Sequence, residues 1–194
     1  DVARTRISGN SGSQLIFHAD VDTSRTSLVN SLVVNNTFAQ GVVRSSPVNL
    51  VVRHNTIADN TIGAAVIDTE VRASFDVSRN IIIQPGQPVL SLGDGSAPPA
   101  ASVVYNLSSD PTLAGYDTSN FSLDPQFAAG YRLAPTSPAV DRAVTPQAVD
   151  LAGNQRPVDR PDVVDHDPGS TGDLGAYELQ LGEGATAIFA NGFE

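Results

Sequence analysis

The chain contains no cysteine, methionine, tryptophan or lysine. Without cysteine it has no disulfide, no thiolate nucleophile and no Cys-type zinc site. Without lysine it has no Schiff-base chemistry and no lysine base; all 11 of its basic residues are Arg. Aromatic residues are sparse, with four Tyr and seven Phe, which argues against a strong sugar-stacking site. No apolar run approaches the ~20 residues of a membrane-spanning helix. The 21 acidic residues outweigh the basic ones to give a net charge of −10, so bulk charge would repel nucleic acid and anionic membrane surfaces. Phosphate-binding Gly-Lys loops, the Gly-x-Ser-x-Gly elbow and the His-Glu-x-x-His zinc motif are all missing.

What is present is a repeat. Four segments share a frame of β-branched residues leading to an Asn: Leu32–Phe38, Val51–Ile57, Asp76–Ile82 and Ser102–Ser108. The Asn residues are Asn36, Asn55, Asn80 and Asn106, each preceded at the same offset by Val33, Val52, Val77 or Val103. The step from Asn36 to Asn55 is the shortest, and the two later steps are nearly equal. Asn10, preceded by Ile7, stands as far before Asn36 as Asn80 does before Asn106 and fits an earlier coil. Such repetition in short β-branched runs is the mark of a solenoid. Gly41, Gly63 and Gly86 follow the Asn turns and lead into further apolar runs, so each coil holds about three short strands. The fold expected is therefore an all-β, right-handed parallel β-helix, the hand being the usual one for parallel crossovers. The four Asn carboxamides are expected to stack in a single buried column, each satisfying the next. Ser108 breaks the apolar pattern in the last coil and marks the end of the solenoid.

Three regions follow: coils over residues 1–110, a loop-rich capping module over 111–178, and a carboxy-terminal strand or tail over 179–194. The amino terminus enters a coil directly with no capping helix, and the expectation is that upstream coils exist in a precursor, removed or still associated. Beyond residue 110 the texture changes to Pro, Gly, Asp and Ser. Asp124-Pro125-Gln126-Phe127, Ser137-Pro138-Ala139-Val140-Asp141, Asp150-Leu151-Ala152-Gly153-Asn154-Gln155-Arg156-Pro157 and Asp173-Leu174-Gly175-Ala176-Tyr177-Glu178 occur in that order. This series resembles the carboxy-terminal signature of choice-of-anchor Q domain proteins, secreted bacterial proteins with a pectate-lyase-like parallel β-helix. The final Ile188-Phe189-Ala190-Asn191-Gly192-Phe193-Glu194 is similar to the endings of some Gram-negative secreted proteins. The resemblance implies export to the medium or the outer cell surface of a Gram-negative bacterium. It implies no particular reaction.

Candidate site residues fall into three sets. Asp141, Arg156, Asp173 and Glu178, within the terminal signature, are expected to pin loops through carboxylate–guanidinium contacts. A catalytic acid pair is the alternative. Asp165, Asp167 and Asp173 alternate with turn residues in a way that suits a hard cation such as Ca²⁺, although the match to an EF-hand loop is poor. A solvated acidic loop with turn-forming Asp residues is the plainer reading. The third set lies on the solenoid's outer face: His18, Arg44 and Asp68 near the first strand of a coil, and Arg53, His54, Arg79 and Tyr105 beside the Asn turn. His54, Arg79 and Tyr105 share one offset and should stack on successive coils, where they could meet a sugar ring, carboxylate or sulfate. Solubilising side chains are the plainer reading. The function expected is polysaccharide binding by a secreted β-helix with no demonstrable catalytic site. A polysaccharide lyase, a glycoside hydrolase or a fragment of one is the alternative.

Overall fold

The computed structural model describes residues 1–18, 24–46, 49–69, 75–93, 97–98, 102–144, 147–160, 162–163, 166–167 and 169–183. Its first coil comprises β1 (Val2–Ala3), β2 (Arg6–Ser8) and β3 (Ser11–His18). The second comprises β4 (Arg25–Val29), β5 (Leu32–Val34) and β6 (Thr37–Ser45). The third holds β7 (Asn49–Arg53), β8 (Thr56–Ala58), β9 (Thr61–Ile62) and β10 (Ile67–Thr69), and the fourth β11 (Phe75–Ser78), β12 (Ile81–Ile83) and β13 (Leu90–Leu92). A partial fifth coil carries β14 (Val103–Val104) and β15 (Leu107–Ser108). Three sheets run the length of the stack: sheet A (β1-β4-β7-β11-β14), sheet B (β2-β5-β8-β12-β15) and sheet C (β3-β6-β10-β13, with β9 also on β6). Every pairing between strands is parallel. The parallel β-helix read from the sequence is the fold.

The period-2 alternation of strands sorts the side chains. Leu28, Val52, Val77 and Val103 of sheet A, Val33, Ile57 and Ile82 of sheet B, and Val43 and Ile67 of sheet C form one continuous interior. Their register partners place like on like, as in Leu28 beside Val52 and Val52 beside Val77. The coils turn from A to B through a left-handed residue in every case: Arg4, Asn30, His54, Arg79 and Tyr105, with φ between 47° and 59°. They turn from B to C through Gly9, Asn35 and Asp59 in the same conformation. A non-glycine residue there costs on the order of 1 kcal/mol, which the hydrogen bonds of the next residue must offset.

Those bonds come from two Asn columns rather than one. At the A–B corner Asn55 Nδ2 donates to Asn80 Oδ1 (3.0 Å), Asn80 to Asn106 (3.0 Å), and Asn106 to Asn120 (2.9 Å). At the B–C corner Asn10 Nδ2 donates to Asn36 Oδ1 (3.0 Å) and Asn36 to Asn60 (2.9 Å). The expectation of a single column is therefore corrected: Asn36 belongs to the second. The slot that Asn36 was expected to fill in the first column is held by Ser31, whose backbone N–H donates to Asn55 Oδ1 (3.0 Å). Both corners use the same local chemistry, a left-handed residue followed by Asn, so the Val-x-x-Asn frame matched strands of two different sheets. The short step from Asn36 to Asn55 was the trace of that shift. Partners in register lie farther apart in the chain, as Asn36 does from Asn60 and Asn55 from Asn80.

Residues 111–120 close the end of the solenoid. A 3-10 turn, Pro111–Gly115, is capped by the Asp110 side chain, and Leu113 fills the end of the interior. The described residues from 121 onward lie along the flank. Ile81, Leu107 and the half-buried Ile83 point outward from sheet B into a second core with Leu133, Val140, Leu174 and Leu179. Leu32, Val34 and Ala58 meet Tyr131, Leu151 and Tyr177 in a third. The sheet B strands β5 and β12 are thus apolar on both faces, as their unbroken runs require. The expected tail over 179–194 lies outside the described residues from 184 onward.

Candidate functional site

The A–B corner row is where the terminal module grips the solenoid. His54, Arg79 and Tyr105 do stack on successive coils, but against that module. His54 is fully buried. Arg156 Nη1 donates to His54 Nδ1 at 2.8 Å, which fixes the neutral tautomer with its hydrogen on Nε2; no described residue accepts that hydrogen. Arg79 Nε donates to Val144 O (2.6 Å), with its guanidinium 5.7 Å from the Tyr105 ring centroid. Tyr105 is half-buried against the second core. His54 is thus corrected as a solvent-facing residue, and all three, which precede the buried Asn, sit at the seam where sheet B is covered.

Arg156 is the hub of the seam. Its Nη2 donates to Gly175 O (2.9 Å), its Nε lies 3.5 Å from Glu178 Oε2, and neither the Arg156 nor the Glu178 side chain touches solvent. Glu178 accepts the backbone N–H groups of Val158 (2.8 Å) and Asp173 (3.0 Å). Asp173 accepts those of Asp141 (2.9 Å) and Leu179 (2.6 Å), and Asp150 accepts that of Asn154 (2.8 Å). Three loops without regular pairing are tied together by these bonds. Burial pushes Glu178 up to about 7 against the opposing pull of Arg156. Burial, then the Glu178 charge, raises Asp173 well above the usual carboxylate range. Burial, then Arg156, Arg79 and Arg53, holds His54 well below an ordinary histidine. Shifted groups of this kind mark active sites when they line a cleft. These groups are sealed within the protein, where Arg156, Asp173 and Glu178 join the loops around them and the Asp141 backbone N–H is bound by Asp173.

Asp173 is therefore engaged by backbone donors on both oxygens. Asp167 is half-buried, and Asp165 lies outside the described residues. Among the described residues no three His, Asp or Glu side chains converge as a metal ion would need.

Among the described residues nothing packs over the Arg44–Asp68 stretch of sheet C. The cross-coil row Phe17–Arg44–Asp68–Ser91 is in register, and Phe17, next to the first edge, is 59% exposed. Arg44 Nε lies 3.4 Å from Asp68, with both side chains more than a third exposed, and Arg44 Nη1 donates to Gln40 Oε1 (2.6 Å). Such a surface pair contributes less than ~1 kcal/mol, so a ligand can displace it. Beside it a recess of about 140 Å³ is lined by Arg44, Ser45, Ser46, Asp68, Thr69 and Gly93. His18, expected on this face, turns inward at the C–A corner, where its two ring nitrogens meet Thr26 Oγ1 (2.7 Å) and Ser24 Oγ (3.2 Å). Arg53 lies on the outer face of sheet A, paired with Asp76. The structure thus unites Arg44 with Asp68 and separates both from Arg53, His54, Arg79 and Tyr105. Phe17 was missed, although four consecutive bulky residues from Leu15 to His18 must direct one outward in an alternating strand. No known protein family, curated protein or solved structure matches the chain.

Proposed function

We propose that the protein is an extracellular β-solenoid that binds a polysaccharide on the outer face of sheet C without cleaving it. The observation that carries this reading is the solvent-facing row Phe17–Arg44–Asp68–Ser91 beside a polar recess. Coils spaced by about 4.8 Å present these side chains at short, even intervals, suited to an extended chain of repeating units. The Arg44 fork can bind a carboxylate, sulfate or vicinal hydroxyls, Asp68 can accept from hydroxyls, and Phe17 offers a ring face. Export from a Gram-negative bacterium belongs to the same proposal and is supported by the ordered motifs over residues 124–178.

A second reading, a structural rod with no glycan partner, is favoured by the burial of His54 and the seam contacts of Arg79, which remove two candidate contacts. A panel of acidic and neutral polysaccharides, read by thermal shift and by reducing-end formation, separates the readings. Binding that Arg44→Ala weakens about tenfold, the loss of one charge-assisted contact, is the expected result. No shift with any glycan would leave the rod, and new reducing ends would refute the non-catalytic assignment.

A further inference from the structure

The strands of sheet C carry few charges. Across β3, β6, β10 and β13 the ionic side chains are Arg44 and Asp68, besides His18 at the corner. Arg44 and Asp68 are register partners on neighbouring coils. The cation is already met: Arg44 Nε lies 3.4 Å from Asp68 Oδ2, and Nη1 donates to Gln40 Oε1 (2.6 Å). Their neighbours in the row, Phe17 beside Arg44 and Ser91 beside Asp68, bring no further positive charge. On a molecule of net charge −10 this stretch is therefore close to neutral. Other Arg–carboxylate pairs lie elsewhere, as Arg53 with Asp76 on sheet A and Arg156 with Glu178 at the seam.

An acidic polysaccharide repeats its charge along the chain, and a site that attracts it repeats cations to match. Here the coil after Arg44 presents a carboxylate instead. A uronate or sulfate seated on Arg44 comes close to Asp68 and has no hydrogen to give it. A pair of sugar hydroxyls fills both roles: one accepts from the Arg44 guanidinium while its neighbour donates to Asp68, and the ion pair stays intact. The adjoining recess is of the same character, with Ser45, Ser46, Thr69 and Gly93 in its wall and Ser45 Oγ 2.8 Å from Thr69 Oγ1.

We infer that the sheet C face selects an uncharged polysaccharide, whose vicinal hydroxyls bridge Arg44 and Asp68, and rejects polyanions. The inference rests on the glycan reading and narrows it to one class of ligand. Asp68 is the selecting residue, an acceptor for a neutral sugar and a repellent for an acidic one.

Two pairs of polymers that differ only in charge test it: polygalacturonate with its carboxyl-reduced form, and dextran sulfate with dextran. Each is titrated by calorimetry in about 0.05 and 0.5 M NaCl. Expected is binding of a neutral member at least about tenfold tighter than its acidic counterpart, and insensitive to salt. Asp68→Asn should weaken the neutral polymer about fivefold and reduce the rejection of the acidic one. Its melting temperature should match the parent, since the side chain is more than a third exposed. Tighter binding of the acidic member, lost in high salt, overturns the inference and leaves the glycan reading standing. Neutral binding that Asp68→Asn does not change overturns it as well. No binding by these polymers or by the wider panel removes the glycan reading itself, and this inference with it.

Discussion

Buried carboxamides and a buried ion cluster hold this molecule together, and each makes a distinct prediction at the scale of single residues. Asn80 donates to Asn106 and Val52 O and accepts two hydrogens from Asn55, all out of contact with water. Asn80→Ala strands those partners and should cost about 3 kcal/mol in urea unfolding. Glu178 has a folded pKa of about 7, raised by burial from its ordinary value of 4.5. A raised acid favours the folded state while protonated, so its contribution is complete below pH 4.5 and is lost as pH rises through 7. His54 acts in the opposite sense: its depressed pKa means that stability falls as pH drops below 6.5 and the unfolded imidazole takes a proton. Glu178→Gln should therefore flatten the decline in unfolding free energy between about pH 5 and 8 while leaving the acid-side loss in place. It should also lower stability throughout by about 1–2 kcal/mol, because a carboxamide cannot accept both backbone hydrogens.

At the scale of elements, the seam between sheet B and the terminal module is a close fit with little slack. Gly175 has φ of +84°, and a Cβ there would lie 2.7 Å from Thr56 Oγ1 and 2.8 Å from Ile81 Cδ1. The Gly175 N–H donates to Arg79 O (2.9 Å), and the next residue, Ala176, donates to Thr56 Oγ1 (3.0 Å). Gly175→Ala should lift this turn off the sheet, lower the melting temperature and raise binding of a hydrophobic dye. Arg156→Ala should be as damaging, at about 3–5 kcal/mol, since it leaves the Glu178 carboxyl without its cation and His54 Nδ1 without a donor. Differential scanning calorimetry of the two variants checks both. Equal melting of Arg156→Ala and the parent would show that the cluster fastens nothing.

For the whole molecule, a solenoid gains stability from neighbour upon neighbour, so what happens at its ends and along its flank decides solubility. The flank of sheet B is apolar outward, with Leu32, Val34, Ile81 and Leu107 all buried by the terminal module. A chain ending at Asn120 would keep the ladder and the Leu113 plug yet expose this stripe. It should form oligomers on size exclusion and bind dye, although its β-sheet circular dichroism survives.

The sequence by itself determined the repeat, the parallel β-helix and the burial of the Asn residues. All of these follow from local chemistry: β-branched runs, turns with a left-handed residue, and an amide that must be paired when buried. That Arg156 would meet a carboxylate of the terminal signature was readable for the same reason, since opposite charges in loop-rich sequence must pair to be buried, and Glu178 is that partner. Only the tertiary structure decided which corner each Asn occupies, because both corners share one motif and differ only in the sheets they join. It also decided that His54, Arg79 and Tyr105 lie beneath a lid while Phe17, Arg44 and Asp68 face water. A side chain's offset in a coil gives its direction; what lies in that direction depends on where residues 121–183 pack, a long-range contact that no local pattern encodes.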